Sequence, residues 1–347
     1  MTILLELILI AVILAALFFV LTNALHDASS VVATFISSGA GKPAQAILLA
    51  AVFNLTGALA GGNAVADTVS SIAAIPADSI MLAVLLAAMI GAVIWNLITW
   101  YSGLPSSSTH ALIGGVVGAV WMGRGPEHVL WGFRDLFAAG PQLVGISKVL
   151  LFLLISPLLG FAAAYIFQTI ANIVLRNAKS SINRWIERLQ WVITALLAFS
   201  NGANDTQKIV GIITLAVASV SNLGSQLPLL GIKGLVGAVT FAGTLLGGWP
   251  VIKTIGRDIY TIRPVHGLNS QLSAGANLLV ATLAGAPVST THVVVGSVAG
   301  VGAADEFKMV NWSIGREIIT AWCITIPAAA LVAAIVYYIL TRVIMII

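Results

Sequence analysis

The chain has 347 residues, of which 59% are apolar and only 8% are charged, and its mean hydropathy is +1.05. This balance excludes an ordinary soluble domain and is typical of a helical protein that crosses a membrane several times. The net charge of +4 is explained by basic loops on the cytoplasmic side of a membrane, so we expect no nucleic-acid partner. The apolar sequence suffices for about ten spans of roughly 20 residues each.

The first half of the chain alternates apolar segments with polar interruptions. The span Ile3–Leu21 runs into the polar stretch Thr22–Ser30 and resumes at Val31, which predicts a helix that is interrupted at membrane depth. A second span follows over Ala44–Ala60, and residues 61–79 are predicted to form a loop.

A motif of proline, hydroxyl residues and histidine occurs twice. The first copy, Gly103–His110, follows the span Ile80–Tyr101, and the second copy, Gly285–His292, follows the span Leu268–Ala284. Proline followed by Ser and Thr and then by an apolar run indicates the start of a helix, where hydroxyl groups cap free N–H groups. We expect both starts to lie within the membrane, where their N–H donors and partial positive charge suit an anion.

The second half repeats this plan after a basic segment. Residues 176–190 carry four basic side chains and one acid, Glu187, and are predicted to form a cytoplasmic linker. The span Trp191–Phe199 is predicted to break at residues 200–208 and to resume at Ile209. The remaining spans are predicted over Leu227–Ile252, Leu268–Ala284 and Ser313–Thr341.

The two halves align as an internal repeat. Asp27 aligns with Asp205, 178 residues later, and His110 aligns with His292, 182 residues later. We therefore divide the chain into a first repeat (residues 1–175), the linker (176–190) and a second repeat (191–347). The predicted fold is an all-α polytopic membrane protein of two inverted repeats, whose broken helices or helical hairpins meet at mid-membrane, as in many secondary transporters.

The charge bias of the loops agrees with this inverted topology. With the linker inside the cell, the count of spans gives each repeat an odd number of crossings and places both termini outside. The acidic loop at residues 61–79 is then outside as well. The basic residues that this count places inside are Lys42, Lys253, Arg257, Arg263 and Lys308.

Two acids lie inside otherwise apolar segments. A charge there costs at least about 2.5–3.5 kcal/mol, so Asp27 and Asp205 are expected to face a partner, a cavity or an ion path. We predict that they are ligands of Na⁺ or carriers of a proton, assisted by the amides of Asn23, Asn201 and Asn204. The alternative is that each carboxylate only caps the resumed helix.

The hydroxyl groups at the two helix starts are candidate ligands of a tetrahedral oxyanion. One Ser or Thr in a membrane helix more often bonds its own backbone, but a run that occurs twice after a proline favours anion binding. Lys208 is expected either to contact the anion or to pair with Asp205. His110 and His292 are either proton carriers or groups that orient their helices, and one His at each break does not predict a metal site. The candidate hydroxyl ligands are Ser106, Ser107, Ser108, Thr109, Ser289, Thr290 and Thr291.

These motifs resemble those of the inorganic phosphate transporter (PiT) family over nearly the whole chain. The most specific pieces are Ser200–Lys208, Ala286–His292 with the following Gly296 and Gly300, and Trp322–Pro327. The resemblance implies cation-coupled import of inorganic phosphate across the plasma membrane by inverted repeats, often in a homodimer. It implies no cofactor beyond the coupling cation.

Carried over by position, the resemblance implies that Asp27, Asp205 and Asn204 bind the cation and the substrate. It places phosphate among the hydroxyl groups of both breaks, with Gln207 and Lys208 close by. The chain departs from the family at Ser29-Ser30, where Ala-Asn is common, and at Asn201, where many bacterial members have His. The second departure favours Na⁺ over H⁺ as the coupling ion.

Three alternatives are weighed against a phosphate symporter. A symporter of another oxyanion such as sulfate would use the same donors, although a carboxylate that contacts the anion favours phosphate, which can donate a hydrogen bond at neutral pH. An anion channel would conduct without a cation gradient. An intramembrane hydrolase built from Ser, His and Asp is disfavoured because its nucleophile would not need two equivalent copies, so we expect no enzyme activity.

Overall fold

The computed structural model describes residues 2–76, 78–101, 106–138, 140, 142–220, 228–247, 252 and 254–344. Over these residues the protein is mainly helical. The eleven α-helices in these ranges are α1 (Thr2–Ser37), α2 (Pro43–Ala60), α3 (Ala64–Ser71), α4 (Ser79–Tyr101), α5 (Ser108–Arg124), α6 (Gly145–Val174), α7 (Asn183–Ala218), α8 (Leu229–Leu246), α9 (Pro264–Leu283), α10 (Thr290–Glu306) and α11 (Trp312–Ile344). The connection between α5 and α6 contains two short 3-10 turns, Pro126–His128 and Asp135–Phe137.

The composition of the helices confirms the predicted membrane protein. Six of the described helices are long and apolar enough to cross a membrane, namely α1, α2, α4, α6, α8 and α11. The outer faces of α1, α6 and α11 expose large apolar side chains, such as Leu14, Leu158 and Leu331. A surface of this kind is stable against lipid and not against water.

The predicted interruptions of the first and seventh helices are wrong. Helix α1 runs without a break through Thr22–Ser30, and helix α7 runs without a break through Ser200–Lys208. Neither stretch contains proline, and hydroxyl side chains fit inside a helix when they bond to the preceding turn. The Thr22 hydroxyl, for example, donates to the carbonyl of Phe19 at 2.9 Å. The polar stretches therefore form buried polar faces of continuous helices.

The loop predicted over residues 61–79 contains the short helix α3. Val65 and Val69 of this helix are buried. The Thr68 hydroxyl donates to the carbonyl of Gly285 at 2.6 Å. Helix α3 therefore packs against α7 and against the connection between α9 and α10.

Both predicted helix starts after proline are present. Helix α10 begins at Thr290 with Ser289 as its N-cap residue, and helix α5 begins at Ser108 with Ser107 as its N-cap. The Ser107 hydroxyl accepts a hydrogen bond from the backbone N–H of His110 at 3.3 Å, which is the geometry of a capped helix. Residues 103–105 of the first motif, and Lys253, lie outside the described residues.

The helices of the two halves pack in reciprocal pairs. Helix α2 packs on α7 as α8 packs on α1, and helix α5 packs on α11 as α10 packs on α6. Glycines bring the last two pairs into backbone contact. A Cβ atom at Gly118 would lie 2.0 Å from the carbonyl oxygen of Ala330, and one at Gly300 would lie 2.3 Å from that of Phe161. Small residues at a helix interface allow this close approach in membranes.

We expect Gly118→Ala to lower the thermal stability of the purified protein in detergent. The new methyl group would collide with the backbone of α11, and overpacking of this kind costs about 1–3 kcal/mol. Gly234→Ala is the matched control, because Gly234 in α8 has no neighbouring atom within 4 Å of the position of the new methyl group. The midpoint of thermal unfolding measures the effect. Equal midpoints for the two variants would contradict the tight contact between α5 and α11.

The second half of the predicted linker, from Asn183, is the first part of helix α7, and this part of α7 contacts two other parts of the chain. The Trp191 indole donates to the carbonyl of Ala40 at 3.1 Å, and the Gln190 amide donates to the carbonyl of Pro264 at 3.0 Å. These contacts join α7 to the turn that carries Lys42 and to the first residue of α9.

Candidate functional site

The two helix starts meet inside the protein. The Thr109 hydroxyl, in the first turn of α5, donates to the carbonyl of Val288, which lies in the break before α10, at 3.0 Å. The rings of His110 and His292 lie side by side, with their centroids 5.0 Å apart. The positive ends of two helix dipoles and the hydroxyl groups of both motifs therefore converge on one region.

The candidate hydroxyl ligands surround this region, and all of them except Ser106 are buried. Ser106 donates to the Thr99 hydroxyl at 2.6 Å, and Ser108 donates to the side-chain oxygen of Asn23. Ser289 is the N-cap of α10 and makes no side-chain cap bond to it. In this closed arrangement most of the hydroxyl groups bond to protein atoms.

Asp205 forms an ion pair with Lys208 where the segments before α5 and α10 meet. The ammonium nitrogen lies 2.5 Å from the Asp205 Oδ1 atom, 2.7 Å from the carbonyl oxygen of Val288 and 2.8 Å from the Thr109 hydroxyl. An ammonium group has three protons to donate, and these three acceptors use all of them. Asn23 donates to the other oxygen of Asp205 at 3.3 Å. Of the two roles expected for Lys208, the structure has the pair with Asp205.

Asp27 lies in the same region with different partners. Its Oδ1 atom accepts a hydrogen bond from the Thr291 hydroxyl at 2.9 Å, and that hydroxyl also lies 3.4 Å from the Ser30 hydroxyl. The Asp27 side chain is buried. Among the described residues, no Lys, Arg or His nitrogen lies within 4.0 Å of that carboxylate. The two acids thus share one buried site but only one of them has a basic partner there.

Asn204 fixes the segment between helices α9 and α10. Its amide nitrogen donates to the Thr282 hydroxyl at 2.9 Å and to the carbonyl of Ala286 at 3.0 Å, and its oxygen accepts from the Val288 N–H at 3.3 Å. These three bonds fix the extended backbone that precedes helix α10. They leave little of the Asn204 side chain for a cation in this conformation.

Asn201 connects the start of helix α10 to helices α2 and α8. Its oxygen accepts from the Thr290 hydroxyl at 2.5 Å, and its nitrogen donates to the Asn54 side-chain oxygen at 3.1 Å. Asn54 in turn donates to the Thr244 hydroxyl of α8 at 3.1 Å. Asn54 did not figure among the candidate residues, although an amide inside the apolar segment Ala44–Ala60 is a signal of a buried polar contact.

Gln207 points towards helix α3. Its oxygen accepts from the backbone N–H of Val65 at 2.9 Å, and its amide nitrogen is buried with no hydrogen-bond partner among the described residues. The ring atom Nδ1 of His110 is likewise buried without a partner in the described part of the chain. Both groups are therefore available to a ligand or to water.

The arrangement suits an anion together with a hard cation. Helix N-termini and hydroxyl groups donate to anionic oxygens, whereas carboxylate, hydroxyl and carbonyl oxygens are ligands for cations such as Na⁺. Among the described residues, no group of three or more His, Cys, Asp or Glu side chains is placed to hold a metal ion.

Two similar proteins are described as phosphate transporters. The chain is 37% identical over 341 residues to a protein of Bacillus subtilis (strain 168) that is described as a "Probable low-affinity inorganic phosphate transporter", and the match covers 96% of this chain and 97% of the relative. A protein of Rhizobium meliloti (strain 1021) with the same description is 36% identical over 333 residues, which are 95% of this chain and 96% of that one.

A solved structure described as "The sodium-dependent phosphate transporter" has a TM-score of 0.81 to this chain. The two are 24% identical in sequence, and the match covers 96% of this chain and 99% of the other. This likeness shows that the two chains share a fold.

A family model settles the classification. The model described as "Phosphate transporter family" matches residues 23–333, a range that contains both acids and both helix starts. Together with the relatives that are similar over nearly their whole length, this match confirms the resemblance that was recognised in the motifs. The chain belongs to the phosphate transporter family.

Proposed function

We propose that the protein is a secondary symporter that imports inorganic phosphate together with a coupling cation, Na⁺ in preference to H⁺. The observation that carries this proposal is the convergence of two hydroxyl-rich helix starts and two acids from both halves of the chain on one buried site. The contacts Thr109–Val288 and Thr291–Asp27 join these parts. The similar solved structure is named as sodium-dependent, which supports the choice of Na⁺.

We propose that phosphate binds between the two breaks. In the structure the hydroxyl groups of the two proline motifs bond to protein atoms. Phosphate oxygens would take the place of those protein atoms, so the two motifs must move apart when phosphate enters. A protonated phosphate oxygen can donate to a carboxylate, which sulfate cannot do, and two acids in the site therefore favour phosphate. The proposed substrate ligands are Ser106, Ser107, Ser108, Thr109, Ser289, Thr290, Thr291, Asp27, Asp205, Gln207 and Lys208.

We propose that the cation binds beside the acids, where it offsets the negative charge of the carboxylates and of phosphate. An uncompensated charge in a buried site costs several kcal/mol, roughly as for a buried ion that has lost its partner. Phosphate would therefore enter with a cation, which is the physical basis of coupling. The proposed ligands are Asp27, Asp205, Asn23, Asn201 and Asn204.

We propose that residues 1–175 and 191–347 are inverted repeats joined by a cytoplasmic linker at residues 176–190. The reciprocal packing of equivalent helices supports this division. Inverted repeats allow one half to rock against the other, which opens the shared site to each side in turn. We also propose that the protein is a homodimer in the plasma membrane, as the family resemblance implies. The mass of the protein in detergent, measured by light scattering, tests whether it is a dimer.

Uptake of labelled phosphate into proteoliposomes tests the function. With an inward Na⁺ gradient we expect saturable uptake that falls several-fold when choline replaces Na⁺ at fixed pH. Excess sulfate should not compete. Flux that does not saturate and needs no cation gradient would identify a channel, competition by sulfate would favour the other oxyanion, and uptake driven in choline by a pH gradient would identify H⁺ as the coupling ion.

A further inference from the structure

The ammonium group of Lys208 lies in a set of oxygens that would also suit a metal cation. Its neighbours are a carboxylate oxygen of Asp205, the carbonyl oxygen of Val288 and the hydroxyl oxygen of Thr109, at 2.5 to 2.8 Å. The side chain is 3% exposed, so the charge is held in place and not shared with water. Carboxylate, carbonyl and hydroxyl oxygens are the ligands that alkali cations use in transporters of broken-helix type.

The position in the first repeat that is equivalent to Lys208 carries no basic side chain. The alignment of Asp27 with Asp205 places Ser30 opposite Lys208, 178 residues apart. Around Asp205 the ammonium lies in contact with both the carboxylate and the Thr109 hydroxyl. Around Asp27 the equivalent hydroxyl, that of Thr291, contacts the carboxylate directly.

The charges of the site are therefore unequal between its halves. Asp205 is neutralised by a group that belongs to the protein, whereas Asp27 has no basic partner among the described residues. Two carboxylates and one ammonium leave one net negative charge, before phosphate adds its own. Counted without phosphate, the site therefore lacks one positive charge, and without Lys208 it would lack two.

We propose that the Lys208 ammonium is a tethered cation, which fills the cation position beside Asp205 so that only Asp27 takes an exchangeable coupling cation. This inference rests on the proposed cation-coupled transport and deepens it. Lys208 then determines how many cations enter with each phosphate. The side chain sets the stoichiometry because its charge cannot leave the site during the transport cycle.

The wild-type protein provides the first test, which needs no variant. Entry of labelled Na⁺ and labelled phosphate into proteoliposomes is measured side by side, and the initial rate of uptake is followed against Na⁺ concentration. We expect a dependence of about first order in Na⁺, as for a single linked site. A dependence of second order or higher overturns the inference, whereas the absence of any Na⁺-dependent phosphate uptake refutes the proposed coupling to Na⁺.

Lys208→Ser provides the second test, because it copies the residue that stands at the equivalent position in the first repeat. A cation should now bind beside Asp205, so we expect uptake to need more Na⁺ and its order in Na⁺ to rise by about one. Lys208→Arg keeps the charge and is expected to keep the wild-type order. An unchanged order in Lys208→Ser, or the loss of all uptake at every Na⁺ concentration from a folded variant, overturns the inference.

A double variant covers the possibility that Lys208→Ser does not fold. Asp205→Asn combined with Lys208→Ser removes both charges of the pair, so no extra cation is required. We expect the thermal midpoint of the double variant in detergent to rise with Na⁺ as that of the wild type does. A steeper dependence on Na⁺ in the double variant would contradict the pairing of Lys208 with a cation position, and the wild-type order decides the question if neither variant folds.

Discussion

Asp205→Asn is expected to lower the initial rate of phosphate uptake by a large factor, because it removes a proposed ligand of the cation and of phosphate. It is also expected to lower the stability of the protein by about 3–5 kcal/mol, because it leaves the buried Lys208 ammonium without its carboxylate. In the variant the Lys208 ammonium keeps its contacts with Val288 and Thr109 but loses the carboxylate at 2.5 Å. The amide costs less than a carboxylate to insert into a membrane, so insertion should be unaffected. Uptake per amount of reconstituted protein measures the effect.

Asp67→Asn is the matched control for this substitution. Asp67 lies on the exposed side of the short helix α3, and the same exchange of carboxylate for amide there should leave uptake at the wild-type rate. Uptake at the wild-type rate in Asp205→Asn would refute the assignment of this acid to the transport site.

Asp27→Asn is expected to abolish Na⁺-dependent uptake and also the stabilisation of the protein by Na⁺. The Asp27 carboxylate accepts a bond from Thr291 and has no basic partner among the described residues, so a bound cation is the group that would balance it. A cation at 100 times its Kd stabilises the folded protein by about 2.7 kcal/mol, and this term vanishes with the site. The difference between the midpoints of thermal unfolding in Na⁺ and in choline measures this stabilisation, and it needs no transport assay.

Asp27→Glu is the partner variant, because it keeps the charge with a longer side chain. We expect it to retain a stabilisation by Na⁺, although transport falls because the carboxylate is displaced. If Na⁺ raises the thermal midpoint of Asp27→Asn as much as that of the wild type, the coupling cation binds elsewhere.

The helix starts were predictable because helix capping is a local property. The hydroxyl residues after each proline predict a helix start nearby, and α5 and α10 begin at Ser108 and Thr290. Pro287 lies before the N-cap Ser289 and not in the first turn, where it was predicted. The alignment of Asp27 with Asp205 was likewise visible in the order of residues. Both features also carried the family resemblance that the comparisons confirm.

The continuity of α1 and α7 could not be predicted from composition. A polar stretch within an apolar segment is produced equally by a broken helix and by a continuous helix with one buried polar face. Which of the two forms depends on partners that are distant in sequence, such as the Asn54 side chain opposite Asn201 and the Thr282 hydroxyl opposite Asn204. Helix α3 was missed because its eight residues are too short for a clear periodicity.

The sequence by itself determined that this protein is helical and embedded in a membrane, that its helices restart at two proline motifs, and to which family it belongs. These properties follow from composition, capping and motif order, which act over a few residues. Asp205 and Lys208 lie one turn apart on α7, but only the tertiary structure decided which oxygens complete the surroundings of the ammonium, because the Thr109 hydroxyl and the Val288 carbonyl come from opposite halves of the chain. An ion pair in a buried site is decided by which oxygens surround the charge, and folding alone brings those oxygens together.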